Sequence, residues 1–274
     1  MIAINLFTRF MAKIIFIHQL TSKIVREFIL NCTALEIAAV GLAFFGGIYL
    51  FFGAANIFIT HQLLPRLHIG KPLDPRPLAK DQLRRELLWS ASSIVIFGVG
   101  MIFPWGFLQL GWARLAVNPS FLQIIAEVIV LLIWNEIHFY LNHWLLHTRW
   151  LRRFHLPHHR SVVTTPWSTY AFHPVEALML GNVILLPMLL HDFSVYALFS
   201  VPLFSLLFNS IGHSNYDWSP ARHTVLHNAS RRHHLHHACF NGNYGFMFPF
   251  MDKLFNTSLP FDAADKQINR WRVD

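Results

Sequence analysis

Three stretches of the chain, 33–60, 87–110 and 121–141, are almost unbroken in apolar residues. Wound as helix at 1.5 Å per residue, each is long enough to cross a hydrocarbon core of about 30 Å. They predict three transmembrane helices. Two shorter apolar runs, 175–190 and 193–211, are joined by His191-Asp192. Their length and tight link predict a helical hairpin that dips into the bilayer and returns on the side it entered. Alternation of apolar and polar residues is nearly absent, so strands, if any, are not visible in the pattern. The segment Lys71-Pro72-Leu73-Asp74-Pro75-Arg76-Pro77 reads as a non-helical connector. The expected fold is therefore all-α: an integral membrane protein with about three full spans, a shorter hairpin and a histidine-rich helical cap. A single domain is expected over 1–274, with an interfacial N-terminal segment at 1–31 and spans within 32–141. A histidine-rich catalytic region then covers 142–274 and includes the hairpin 175–211.

Composition strengthens the membrane reading. Only 13% of residues are charged against 54% hydrophobic, about half the charge of an ordinary soluble domain. If the hairpin enters and leaves on one face, segments 61–86, 142–174 and 212–274 share a compartment. They hold 6, 4 and 7 of the 22 lysines and arginines, which by the positive-inside rule makes that face cytoplasmic. The membrane would be the endoplasmic reticulum in a eukaryote and the inner membrane in a bacterium. Arg9, Lys13, Lys23 and Arg26 run against this count and suggest an amphipathic N-terminal segment lying on the membrane surface. No short apolar core followed by a small-residue cleavage site is evident there, so that segment is expected to stay attached. The net charge of +8 is scattered beside apolar runs, without a nucleic-acid motif. Anionic headgroups, not nucleic acid, are the expected counterpart. Cys32 and Cys239 suggest no disulfide framework.

The chemistry lies in histidine. Residues 138–237 contain 15 of the 18 histidines. Protonated together they would repel, and buried without partners they would leave ring nitrogens unsatisfied, so a bound cation is the simplest stabiliser. At 100° per residue Glu136, Tyr140, His143 and His147 form one helical stripe, whereas His138 lies about 140° from His143 and is excluded. Glu136 is the candidate carboxylate to accept a ligand's ring N–H and fix its tautomer. His233, His236 and His237 fall at i, i+3 and i+4, so one face directs all three at a metal, with His234 pointing elsewhere. Pro157 suits the first turn of a helix carrying His158 and His159, with His155 reaching in from the preceding turn. Eight imidazoles exceed the needs of one zinc, which favours two metals. Iron engaged in oxygen chemistry suits such ligation, and zinc accepts imidazole too. Haem is disfavoured because no Cys-x-x-Cys-His occurs.

The order of these motifs resembles the fatty acid hydroxylase superfamily, and within it the sterol desaturase (lathosterol oxidase-like) branch. The resemblance runs from about Gln82 to Thr257. It rests on Glu136 through His147, Arg153-Phe154-His155-Leu156-Pro157-His158-His159, Thr165-Pro166-Trp167 and Ala171-Phe172-His173-Pro174-Val175-Glu176. Gly212-His213-Ser214-Asn215, His233 to His237, Asn243-Tyr244-Gly245 and Asp252-Lys253-Leu254-Phe255 complete it. Trp144 and Met251 depart from the arginine and tryptophan common at those places. The resemblance implies a membrane-bound, non-haem di-iron oxidoreductase that uses O2 to hydroxylate or desaturate a sterol-like or fatty acyl lipid. It carries over His143, His147, His155, His158, His159, His233, His236 and His237 as iron ligands, and adds His173 and His213. His223 and His227 are read as surface residues or as partners of ligands. Asn209, Tyr216 and Tyr244 are candidates for orienting ligands or lining a pocket. No Gly-x-Gly-x-x-Gly follows a strand, so electrons are expected from an external donor, cytochrome b5-like or ferredoxin-like. Two alternatives remain at this point. A zinc-dependent membrane enzyme would want a His-Glu-x-x-His motif, which is missing, and a divalent-metal transporter would place its ligands near the bilayer midplane.

Overall fold

The computed structural model describes residues 20–218 and 225–260. The N-terminal interfacial segment falls largely outside this range, although 20–31 are helical. Helix α1 (Ala34–Arg66) passes through a π-turn at Ile59–Leu63. Pro65, lacking an N–H for the His61 carbonyl, accounts for that turn. Strand β1 (Lys71–Pro72) follows, then α2 (Gln82–Gly100) and α3 (Ile102–Gln109), α4 (Phe121–Leu146), α5 (Arg152–His159) and a 3₁₀ turn at Pro166–Tyr170. The remaining elements are α6 (Pro174–Gly181), α7 (Leu185–Leu190), α8 (Val195–Gly212), β2 (Tyr216–Asp217), α9 (Val225–Cys239) and α10 (Phe250–Leu254). The expected all-α membrane architecture is present.

Among the described residues, four helical stretches are long and apolar enough to cross a membrane: α1, α2 continued by α3, α4, and α8. The three expected spans are among them. The hairpin is less even than its sequence suggested, with the first arm broken into α6 and α7 and the second a continuous helix of 18 residues. Its tip is tied to the start of α4: the Ser194 N–H donates to Glu127 Oε2 at 2.7 Å, and His191 Nε2 lies 3.3 Å from Oε1. Glu127 and His143 are separated by about 24 Å along α4. The hairpin therefore runs alongside most of the length of α4.

Helices α1 and α2 cross where two glycines remove all side-chain bulk. A Cβ on Gly41 would lie 2.4 Å from the Gly98 carbonyl oxygen, and one on Gly98 would lie 2.7 Å from the Leu42 nitrogen. Close backbone approach is the usual basis of helix association in lipid, where apolar burial supplies little drive. Gly41→Val should force the helices apart and destabilise the protein by about 1–3 kcal/mol or more. A lowered unfolding temperature in detergent is the expected readout, and an unchanged one would contradict this packing.

On the opposite end from the hairpin tip, β1 pairs antiparallel with β2, Lys71 opposite Asp217 and Pro72 opposite Tyr216. Asp74 N–H donates to Asn215 Oδ1 at 2.8 Å, and Asn215 Nδ2 donates back to the Asp74 carbonyl at 2.8 Å. Gln82 Nε2 donates to the Val163 carbonyl at 2.7 Å, and Thr165 Oγ1 donates to the buried Glu86 carboxylate. These bonds join 61–86 to the segments after α4 and after α8, so all three share one end of the helix bundle. The proline-rich connector is thus anchored on both flanks.

Candidate metal centre

Three short helical faces deliver the imidazoles. His143 and His147 end α4, His155, His158 and His159 lie on α5, and His233, His236 and His237 lie on α9. Helix α5 starts at Arg152 and runs through Pro157, not from it. Only the bond that Pro157 would give to the Arg153 carbonyl is lost, and that is tolerable in a helix of eight residues. His155 is therefore on the helix with the other two. The ligand atoms converge in two groups, each with all its atoms within 4.8 Å of one another: His143, His147, His155, His159 and His236 in the first, His158, His213, His233 and His237 in the second.

The division follows helix geometry. Residues four apart stand about 40° from each other and stay together, as 143 with 147, 155 with 159, and 233 with 237. The third histidine of each cluster crosses over: His158 leaves α5 for the second group and His236 leaves α9 for the first. The expectation that His233, His236 and His237 aim at one point is thus corrected. Residues 233 and 236 diverge by about 60°, enough to place them in different groups.

Backbone and carboxylate acceptors fix the ring tautomers. His143 Nδ1–H donates to the Tyr244 carbonyl at 2.8 Å, His236 to the Gly242 carbonyl at 2.8 Å, and His213 to the Asn209 carbonyl at 2.9 Å. His155 Nδ1–H donates to Glu176 Oε1 at 2.7 Å. A carbonyl only accepts, so His143, His236 and His213 have their proton on Nδ1 and a bare lone pair on Nε2, and Glu176 acting as the acceptor gives His155 the same tautomer. Those Nε2 atoms face each other: His143 to His155 at 3.1 Å, His155 to His159 at 3.0 Å and His159 to His236 at 3.0 Å. In the second group the separations are 3.3 Å from His158 to His213, 3.0 Å from His213 to His233 and 3.1 Å from His233 to His237. Two nitrogens at right angles around a metal about 2.1 Å away lie about 3.0 Å apart. Between His143 and His155, both protonated at Nδ1, the two bare lone pairs repel unless a cation lies between them. His147 adds a second sign, since both its ring nitrogens are buried without a hydrogen-bond partner among the described residues. The donor set, all neutral imidazole nitrogen, fits a transition metal in each group.

Burial holds these rings neutral. It pushes His147 down to about 2, with the neighbouring His143 adding to the effect, and His213 down to about 4. His155, His158, His159, His233, His236 and His237 are all driven well below the usual value, by burial first and then by adjacent imidazoles. Because the unfolded chain's histidines take up protons below their ordinary value of 6.5 while the folded ones cannot, stability is lost as pH falls below that point. The metal-free protein should show a falling thermal midpoint from about pH 7 to about pH 5, and a flat profile would contradict the buried neutral rings.

The carboxylate assignment needs correction. Glu136 does not meet a histidine; it accepts the backbone N–H groups of Met247 at 2.6 Å and Phe248 at 3.4 Å. The acid on a ligand ring is Glu176, in the first turn of α6, which sequence spacing did not single out. His173 also departs from expectation. It joins neither group, and its Nδ1 accepts the Val175 N–H at 3.2 Å as the cap of α6. His213, by contrast, sits in the second group. His138 is outside both, its Nε2 2.8 Å from Asn182 Oδ1. His223 and the side chain of His227 lie outside the described residues. Asn209 and Tyr244 orient the His213 and His143 rings through their carbonyls instead of their side chains, and Tyr216 instead donates its hydroxyl to the Ile69 carbonyl.

The loop carrying the Gly242 and Tyr244 carbonyls is itself clamped by Asp252. Its carboxylate accepts Tyr244 N–H at 2.8 Å, Gly245 N–H at 2.9 Å and Thr257 Oγ1 at 2.7 Å, and pairs with the buried Arg232. Gly245 is required there, since a Cβ would lie 2.6 Å from Asp252 Oδ2. Sequence reasoning gave Asp252 and Arg232 no role, because the loop bonds that define it have no periodic signature.

Comparison with known proteins accords with this geometry. Residues 128–257 match the Fatty acid hydroxylase family, a range that contains both histidine groups and Asp252. A Delta(7)-sterol 5(6)-desaturase of Gibberella zeae is 27% identical over 73% of this chain and 64% of its own length. A Very-long-chain aldehyde decarbonylase of Oryza sativa subsp. indica is 32% identical over 53% of this chain and 57% of its own. A Delta(7)-sterol 5(6)-desaturase of Saccharomyces cerevisiae is 30% identical over 66% and 50%. The chain thus spans about half to two thirds of the length of these relatives. No solved structure matches. The two histidine groups therefore stand within the region, residues 128–257, that matches the fatty acid hydroxylase family.

Proposed function

We propose that the two histidine groups hold two iron ions and that the protein uses O2 to hydroxylate or desaturate a membrane lipid, sterol-like or fatty acyl. The observation that carries this reading is the convergence of the ring nitrogens in two buried groups, with Nε2 atoms 3.0–3.3 Å apart and the Nδ1 atoms of His143, His155, His213 and His236 turned to acceptors elsewhere. His143, His147, His155, His159 and His236 would hold one ion, and His158, His213, His233 and His237 the other. When bound, the iron pair supplies the redox chemistry that oxidation of an unactivated carbon by O2 requires. The rest falls to the chain. Carbonyls and Glu176 fix the ligand tautomers, burial keeps the rings deprotonated at Nε2, and apolar helices admit a lipid while excluding bulk water.

No flavin, haem or nicotinamide fingerprint occurs in the sequence, so electrons would come from a separate donor, cytochrome b5-like or ferredoxin-like. Segments 61–86, 142–174 and 212–274 of the sequence hold 17 of the 22 lysines and arginines, and by the positive-inside rule the histidine side would face the cytoplasm. The names of the relatives, sterol desaturase and aldehyde decarbonylase, are consistent with a lipid substrate. Reduced, iron-loaded protein mixed with isotopically labelled O2 and a membrane lipid extract tests the activity. A lipid that gains one labelled oxygen or loses two hydrogens is expected, and no lipid-dependent O2 uptake would contradict the proposal.

A further inference from the structure

A cavity of about 380 Å³ lies among α1, α3, α4, α6, α7 and α8. One end meets the histidines. There the Phe139 ring stands edge-on to His143 with centroids 5.0 Å apart, the Phe172 ring lies 5.0 Å from His158, and Asn209 holds His213. The other end reaches Leu115, Met188 and Phe28, near the level of the hairpin tip. Most of the wall is Phe, Leu, Ile and Val. Between the ends it is interrupted by polar residues, Asn135 and His138 on α4, Asn182 after α6 and Ser205 on α8.

Asn135 is the unusual member. It is only 6% exposed, and its Oδ1 accepts Ser205 Oγ at 3.2 Å, but its amide nitrogen has no hydrogen-bond partner among the described residues. Amide groups across helix pairs serve as glue in membranes, and the bond to Ser205 is of that kind. That bond occupies one end of the amide and leaves the other in a lipid-like cavity, where an unmet N–H is costly. The neighbouring His138 does not relieve it, being bonded to Asn182.

We propose that Asn135 is a specificity residue whose amide N–H donates to an oxygen carried by the lipid in this cavity. Eight residues of α4 place that oxygen's donor about 12 Å along the helix from His143. The preferred ligand is then an apolar body with a hydroxyl or carbonyl well separated from the carbon at the histidines, not a plain hydrocarbon. A hydrocarbon fills the same space but leaves the amide unmet, the situation in which polar sites discriminate best. The inference rests on the lipid-oxidation reading for the identity of the ligand, but its test reads binding alone.

The test uses the full chain in detergent with two pairs of radiolabelled probes, cholestanol with cholestane and hexadecanol with hexadecane. In at least one pair the alcohol should bind a few-fold to about tenfold more tightly, the worth of one buried hydrogen bond. Asn135→Leu should erase that preference by weakening the alcohol while the hydrocarbon binds as before, with metal content unchanged. Asn135→Ala removes the same amide without added bulk and serves if the leucine variant does not fold. Equal binding within both pairs by the unaltered protein, or a preference that survives loss of the amide, would overturn the assignment. A protein that shows the preference but oxidises no lipid contradicts the proposed activity and leaves Asn135 in place. Lipid oxidation without the preference does the reverse.

Discussion

His236→Ala is expected to cost the protein the metal of its first group and to lower turnover by more than roughly 100-fold, the upper end of what loss of an outer partner costs a metal site. His236 crosses from α9 to join four imidazoles from α4 and α5, and its Nε2 lies 3.0 Å from that of His159. Its removal therefore severs α9 from the first group while leaving His233 and His237 on the second. The variant should still insert into membranes, because the four apolar spans do not include α9. His173→Ala is the matched control. It removes a helix cap, worth about 1 kcal/mol, and ring contacts with Trp89 and Phe154, and should leave metal content as it is. Elemental analysis of the two variants checks this. Metal lost from His173→Ala and retained in His236→Ala would reverse the assignment.

Glu176→Ala should weaken metal binding by about 10–100-fold without removing any ligand. The fully buried carboxylate accepts His155 Nδ1–H at 2.7 Å, and no other acceptor is bonded to that nitrogen. Without it a ring N–H is left unsatisfied in a dry interior, at about 1–3 kcal/mol, and the ring loses its fixed tautomer. Glu176→Gln retains an oxygen that can accept the bond, so it should restore part of the affinity. Metal titration monitored by chelator competition distinguishes these cases. Equal affinity in all three proteins would show that Glu176 does not act through His155.

Much of the fold is written in hydropathy alone, because a residue facing lipid must be apolar wherever it stands. Runs 33–60 and 121–141 accordingly fall within α1 and α4. The hairpin's depth is less legible. It depends on tertiary links such as those from Glu127 to Ser194 and His191, contacts that no local pattern announces. In the site, spacing of four correctly pairs 143 with 147 because one helical turn keeps side chains together. Spacing of three is ambiguous, and only the packing of α4, α5 and α9 around the site decides that His158 and His236 change sides.

The two acids show the same limit from opposite directions. Glu136 shares the stripe of His143 but lies seven residues before it, about 10 Å along the helix and beyond a carboxylate's reach. That rise could have excluded it from the sequence. Glu176 meets His155 across 21 positions, and nothing short of tertiary structure brings them together. His213 is similar: it follows α8 directly, and the Asn209 carbonyl one turn earlier aims its ring.

One chain should hold two metals in its unequal histidine groups. Elemental mass spectrometry of purified, iron-supplied protein, followed by anaerobic reduction, decides whether it does. Two irons per chain that respond to dithionite and are reoxidised by O2 are predicted. A single metal per chain, or stoichiometric zinc indifferent to dithionite, would contradict the account.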